Sequence, residues 1–248
     1  MFSDSLLIII WFIIGSIIGS FMMCLTYEEQ SLLRKSRCDA CCQNLKWYDL
    51  IPVISFLQTR GYCRYCQQKI SIKYLLCECL TGAALILISY NQVLDIALLC
   101  TIAIIIIPLA IYDTEHMLIP NLMLFILFTV LFINTLFLSF NQSQHINFTM
   151  IFYKVLIVLL LHLFFFLTHS IGYGDIKLFS ILLIFLPIPF FISLFFVTYL
   201  IGGSACIVFL SYKTNIKRMP LVPFITAAFF VVLILYDAIK KLYFGGFF

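Results

Sequence analysis

Two aspartates and four cysteines carry the chemistry that can be read from this chain. Asp113 closes one apolar run, in IYDTEHMLIP, and Asp175 opens another, in GYGDIK (Gly172–Lys177). An ionisable residue at the edge of a membrane-length segment is costly to bury and points to function. Two carboxylates brought together share a proton, so one can take a proton from water while the other donates one. That is the chemistry of aspartic peptide hydrolysis. Helix ends are expected to divide the pair, the positive end of the later segment at Asp175 and the negative end of the earlier one at Asp113. Gly172 and Gly174 are expected to allow a tight turn and the close approach of a substrate strand. The competing reading makes both aspartates ordinary caps at water level.

The cysteines form two C-x-x-C pairs, CDAC (Cys38, Cys41) and CRYC (Cys63, Cys66), with 21 residues between them. Four thiolates at this spacing can close a tetrahedron around a structural zinc ion. Cys42, beside Cys41, is a spare or alternative ligand. Cys24, Cys77, Cys79, Cys100 and Cys206 lie in apolar runs and read as packing residues.

These groups sit in a very apolar chain. Of its 248 residues 64% are hydrophobic and 10% charged, and the mean hydropathy is +1.13. A soluble domain is roughly half apolar and about a quarter charged. A helix needs about 20 apolar residues to cross the hydrocarbon core. Continuous rather than alternating apolar runs make these helices, one of only two structures that satisfy the backbone in lipid. The expected fold is an all-α polytopic membrane protein of about eight transmembrane helices. Their approximate bounds are Leu6–Leu25, Tyr74–Tyr90, Val93–Ile111, Met117–Phe140, Phe148–Thr168, Ile176–Leu186, Phe190–Tyr212 and Met219–Ile239. The first run has no basic segment before it and reads as a retained helix rather than a cleaved signal. The expected organisation is a first helix (1–26), a cytoplasmic four-cysteine zinc-knuckle loop (27–73) and a seven-helix core with both aspartates (74–248). A loop with so few large aliphatic residues needs a metal to hold it.

Lysine and arginine set the orientation. Arg34, Lys35, Arg37, Lys46, Arg60, Arg64, Lys69, Lys73, Lys177, Lys213, Lys217 and Arg218 put twelve of the 15 basic residues on one side. That side reads as cytoplasmic, with both termini outside and both aspartates and the cysteine loop at the cytoplasmic face. The sixth segment has eleven residues and rises only about 16 Å. Either Asp175 is recessed into a wet cleft or the Pro187–Pro189 turn is pulled inward. Nothing in the composition indicates nucleic-acid binding.

Of the remaining polar residues, Glu78 reads either as a helix-end carboxylate reaching the basic loop or as a partner for a substrate's amino terminus. Lys177 reads as a headgroup anchor. Glu115 and His116 read as solvated turn residues, Asp49 as a loop cap, and His162 and His169 carry no assigned role.

Six blocks in order resemble the type IV prepilin peptidases, membrane aspartic proteases of the GxGD type. They are GSIIGSF (Gly15–Phe21), WYDLIPVISFL with RGYCRYCQQKIS (Trp47–Leu57, Arg60–Ser71), ECLTG (Glu78–Gly82), IYDTEHMLIPN (Ile111–Asn121), GYGDIKL (Gly172–Leu178) and MPLVPFITAAF (Met219–Phe229). The resemblance implies that Asp113 and Asp175 are catalytic, with Gly172, Gly174 and Glu78 on the substrate side. It also implies that Cys38, Cys41, Cys63 and Cys66 bind zinc. Substrates would be prepilins or pseudopilins within the membrane, cut after a glycine between a short basic leader and an apolar helix. Many members also methylate the new N-terminal amine with S-adenosylmethionine, a reaction to which the cysteine loop and Glu78 are tied. The chain departs from the family at Met23, where Asn is usual, at LTYEEQ (Leu25–Gln30) and at Leu221–Val222, where a glycine is common. These departures leave the peptidase reading untouched and count against methylation, whose natural site would be the altered N-terminal motif and the loop. The lean loops look like the branch that processes competence pseudopilins.

Two other functions fit the same composition. An ion- or proton-coupled transporter would use the acids to bind cations, yet the halves show no repeat of the usual kind. A non-catalytic scaffold for pilus or secretion assembly would keep its function without either aspartate.

Overall fold

The computed structural model describes residues 2–27, 36–38, 40–91, 94–142, 148–168, 171–211 and 219–244. Arg34, Lys35, Lys213, Lys217 and Arg218 of the charge argument lie outside the described residues, as do Glu28, Glu29 and His169. The helices are α1 (Phe2–Tyr27), α2 (Ile54–Gln58), α3 (Ile72–Ser89), α4 (Ile96–His116), α5 (Asn121–Gln142), α6 (Phe148–Thr168), α7 (Tyr173–Phe185), α8 (Ile188–Ser211) and α9 (Val222–Phe244). A 3-10 turn, Trp47–Leu50, precedes α2. Among the described residues there is no strand, and seven helices are long and apolar enough to cross a membrane. The chain is thus a multi-pass membrane protein. The remaining expected span, the sixth at Ile176–Leu186, is α7, whose 13 residues rise about 20 Å.

α4 is the most enclosed span, packed against α1, α3, α5 and α9. Its buried residues include Ile102, Ile106, Leu109 and Asp113. α1 meets α3 through small residues. A Cβ on Gly15 would stand 2.8 Å from the Gly82 Cα, and one on Gly19 would overlap the Thr81 hydroxyl. Between membrane helices, where apolar burial drives little, close backbone approach through small residues supplies the packing.

The polar ends of three helices are tied at one end of this group. Glu115 of α4 accepts from the Tyr27 hydroxyl at 2.6 Å and from Lys73 Nζ at 3.0 Å, and Lys73 stands 4.0 Å above the Tyr27 ring. Glu115 is therefore a tie between α1, α3 and α4, more than a solvated turn residue.

α7 lies against α5, α6 and α8. Its first residue, Tyr173, packs on Phe165 at 4.9 Å and on His162 at 6.0 Å. Both partners lie inward from Thr168, the last residue of α6. Tyr173 thus fastens the start of α7 to the end of α6. At its other end Lys154 of α6 donates to the Ile184 carbonyl at 2.7 Å, one of the last carbonyls of α7, which have no partner within the helix.

Candidate active site and metal centre

Asp113 lies in the last turn of α4, which runs on to His116 and closes at Met117 in a left-handed conformation (φ 52°). The carboxylate is buried, 4% exposed, and its Oδ2 accepts the backbone N–H of Val222 at 3.1 Å. Val222 is the first residue of α9. Asp113 therefore meets the positive end of α9 as well as the negative end of its own helix, a contact that the motif alone did not disclose.

Asp175 lies in the first turn of α7, its N–H bonded to the Gly172 carbonyl at 3.1 Å. It is half-buried. Gly174, beside Asp175, lies against Ile119, six residues after Asp113, and Tyr199 of α8 stacks on Phe179 of α7 at 6.5 Å. Two acids 62 residues apart in sequence are thus brought to one end of the bundle, Asp175 in the first turn of α7 and Asp113 against the start of α9.

The glycines of GYGD have a spatial reason rather than an angular one. Gly172 has φ −62° and ψ 138°, which any residue adopts. A Cβ there would stand 2.8 Å from Asp175 Oδ2. A Cβ on Gly174 would stand 3.1 Å from Ile119 Cβ, so this glycine lets α7 lie against the segment that follows Asp113. The expected tight turn is not what requires glycine here. Ile119 and Tyr199, which sequence reasoning passed over, belong to ordinary apolar patterns and carry no signal of their own.

Lys177 donates to Asn121 Oδ1 at 2.9 Å and stands 4.9 Å from the Tyr173 ring. It braces α7 against α5 and faces away from Asp175 along the helix. His162 binds its own helix, with Nδ1 3.0 Å from the Val158 carbonyl. With Asn121, Lys177 and Ser180 it lines an open cavity of about 370 Å³ between α5, α6 and α7.

Glu78, in α3, is buried at 8% exposure. Its Oε2 accepts the Val53 N–H at 2.7 Å. The carboxylate thus reaches back to the cysteine loop, as one of the two sequence readings expected. It holds a backbone amide there, not a basic side chain.

The sulfur atoms of Cys38, Cys41, Cys63 and Cys66 lie within 4.8 Å of one another. In a tetrahedral zinc–thiolate site, sulfurs stand roughly 3.8 Å apart, given zinc–sulfur bonds of about 2.3 Å, and Cys38 and Cys66 are at 3.9 Å. The two knuckles repeat one design. The N–H of Cys42 returns to the Cys38 carbonyl and that of Gln67 to the Cys63 carbonyl, both at 2.9 Å. Cys42 and Gln67 each have positive φ, 56° and 58°, and each turn is closed by a bridge, Arg37 to Asn44 and Tyr62 to Lys69. Cys42 therefore holds the turn and stays out of the sulfur cluster.

The Cys41 N–H aimed at Cys38 is the main cause that holds its thiol down to about 7. Cys66 has the N–H of Gln68 pulling the same way, yet burial and the three neighbouring sulfurs push it up to about 12. The donor set and spacing fit a metal ion. Asp49 clamps the module from outside, accepting from the Tyr65 hydroxyl at 2.8 Å and the Lys46 N–H at 3.2 Å. Its other oxygen faces Arg64 Nε at 3.2 Å as an ion pair without hydrogen-bond alignment.

Comparison with known proteins agrees with this layout. Residues 13–92 match the bacterial peptidase A24 N-terminal domain, and residues 97–207 match the type IV leader peptidase family. The chain is 33% identical over 115 residues to the prepilin leader peptidase/N-methyltransferase of Myxococcus xanthus, covering 44% of this chain and 34% of that one. It is 30% identical over 141 residues to the protein of the same name from Vibrio cholerae, covering 51% and 55%. The chain thus spans about a third and about half of these two relatives. With the protein of that name from Bacillus subtilis it is 30% identical over 250 aligned positions, covering 94% and 96%. No solved structure shows significant similarity. With one relative matched almost end to end, and with the two domains of the family in their order along the sequence, this chain belongs to the type IV leader peptidase family.

Proposed function

We propose that this protein is an aspartic endopeptidase that removes the short basic leader of type IV prepilins or pseudopilins, cutting after a glycine. One observation carries the reading: Gly174, beside Asp175, lies against Ile119 just beyond Asp113, so two acids from separate helices stand at one end of the bundle. One carboxylate takes a proton from water as the oxygen attacks the scissile carbonyl carbon. The other, protonated, donates to the carbonyl oxygen and then, as the C–N bond breaks, a proton passes to the leaving amine. Gly172 leaves the Asp175 carboxylate its space, and the half-exposed face beside it is open to an extended substrate strand.

On this reading the end carrying both aspartates and the cysteine module faces the cytoplasm of the cell membrane, with both termini outside. Residues 27–73 form a zinc module between the first helix and the seven-helix core. Cys38, Cys41, Cys63 and Cys66 hold the zinc, which supplies the module's missing core and no catalytic step. Glu78 positions the loop rather than a substrate amine.

Methylation of the new N-terminus by S-adenosylmethionine is a second reading, favoured by the names of the relatives. Met23, at the position where the family usually carries Asn, is fully buried in the helix seam and offers that reaction no polar group. The test is the N-terminal mass of a pilin precursor coexpressed with this protein. Loss of the leader at a glycine supports the peptidase, and an added methyl group supports the second activity. An intact precursor with the protein correctly inserted overturns both.

A further inference from the structure

The segment between the cysteine pairs presents an apolar row to the outside. Trp47 and Leu50 lie in the 3-10 turn, and Ile54 and Leu57 lie in α2, which follows after three residues. They are 77%, 45%, 51% and 64% exposed. Nothing among the described residues covers them. Four such side chains in water are an unfavourable arrangement, and a contiguous exposed patch marks a contact surface.

The depth at which this row is held identifies what it contacts. Val53 has φ 62° and ψ −50°, and the Ile54 N–H reaches back to the Pro52 carbonyl at 2.6 Å. This is a γ-turn of the rare, strained kind, centred on a β-branched residue. Such strain persists only where the surroundings impose it. The Val53 N–H donates to Glu78 at 2.7 Å, and Glu78 lies six residues beyond Ile72, where α3 begins. Six residues advance about 9 Å along the axis. α3 has 18 residues, about 27 Å, against a hydrocarbon core of about 30 Å, so every turn of it is needed for the crossing. Glu78 therefore draws the loop down to the boundary of the bilayer. Tryptophan and aliphatic side chains held at that level meet lipid, the setting tryptophan prefers. The same module exposes Lys46, Arg60 and Lys69, cations suited to lipid phosphate.

We propose that the row Trp47, Leu50, Ile54 and Leu57 inserts into the headgroup–acyl boundary of the leaflet on the cysteine side. Lys46, Arg60 and Lys69 then engage anionic phospholipid, and the Glu78–Val53 hydrogen bond sets the depth. The metal module is a monotopic element lying in the membrane surface, not a free loop above it. This inference does not depend on the peptidase reading.

Trp11 and Trp47 are the two tryptophans of the chain, so Trp11→Phe isolates Trp47. If Trp11→Phe disturbs the fold, the difference between wild type and Trp47→Phe gives the same spectrum. The full-length protein is placed in vesicles of phosphatidylcholine and phosphatidylglycerol, with and without brominated phosphatidylcholine. The expected result is blue-shifted Trp47 emission, quenched more by bromines near the headgroup than by bromines near the chain end, and little affected by aqueous iodide. Red-shifted emission quenched by iodide and not by bromolipid overturns the proposal in favour of an aqueous loop. Blue-shifted emission insensitive to both quenchers overturns it in favour of a protein partner on the row.

Discussion

The carboxylate of Asp113 and the backbone amide of Val222 are joined at 3.1 Å, so the last turn of α4 is fixed to the first residue of α9. The bond gives a fixed donor to an acid that the proposed reaction requires in one orientation. It also ties the closing segment, MPLVPF, to the site without giving it a reacting side chain.

Val222→Pro tests that bond. Proline deletes the N–H at the first position of a helix, where the residue is otherwise tolerated. A hydrogen bond to a charged group contributes roughly 1.5–3 kcal/mol, so cleavage should fall roughly 10- to 100-fold with the protein still inserted. In an Asp113→Ala background, where the acceptor is gone, the same change should cost much less thermal stability than it does in the wild type. Equal cost in both backgrounds would mean that Val222 acts through packing alone.

The GYGD glycines give separable outcomes. Gly172→Ala keeps an allowed backbone but puts a methyl 2.8 Å from Asp175 Oδ2. It should lower the turnover number with little change in thermal stability. Gly174→Ala meets Ile119 Cβ at 3.1 Å and should cost about 1–3 kcal/mol of stability, as overpacking does. Shortening Ile119 to Ala should restore part of it. Thermal melting beside cleavage rates separates the two cases, and identical behaviour of both glycine variants would contradict this division.

How much of this was legible beforehand depends on the kind of interaction. Hydropathy alone placed a helix over Phe148–Thr168, and those residues are helical throughout, because a lipid-facing helix is set by its own composition. Asp113 and Asp175 stood out because acids are rare beside apolar runs. Val222 could not stand out, since its contribution is a backbone N–H that every residue but proline has. The partner of Glu78 was hidden for the same reason. The glycines were visible, but their cause was not: a missing Cβ serves space and backbone angle alike, and only the neighbours Asp175 and Ile119 distinguish the two.

The metal site predicts a contrast within one run of three cysteines. If the four cysteines hold zinc as proposed, replacing Cys38, Cys41, Cys63 or Cys66 with Ser should remove it and leave the module open to proteolysis. Cys42→Ser should keep about one zinc per chain, because Cys42 holds a turn at φ 56° outside the cluster. Elemental analysis of the purified variants measures this directly. Loss of zinc in Cys42→Ser would contradict the assignment. Chelation at low pH should act in the same direction as the Ser variants, since thiolates must be deprotonated to bind metal.

The central claim is that Asp113 and Asp175 act as one catalytic unit. Its most direct measure is the rate of leader removal from a purified pilin precursor in proteoliposomes by Asp113→Asn, Asp175→Asn and the double variant. General acid–base groups are worth roughly 100- to 10,000-fold, and groups acting together are grossly non-additive. Each single variant should fall to the floor reached by the double variant, with insertion and zinc content unchanged. Cleavage retained near the wild-type rate in either single variant would contradict the account.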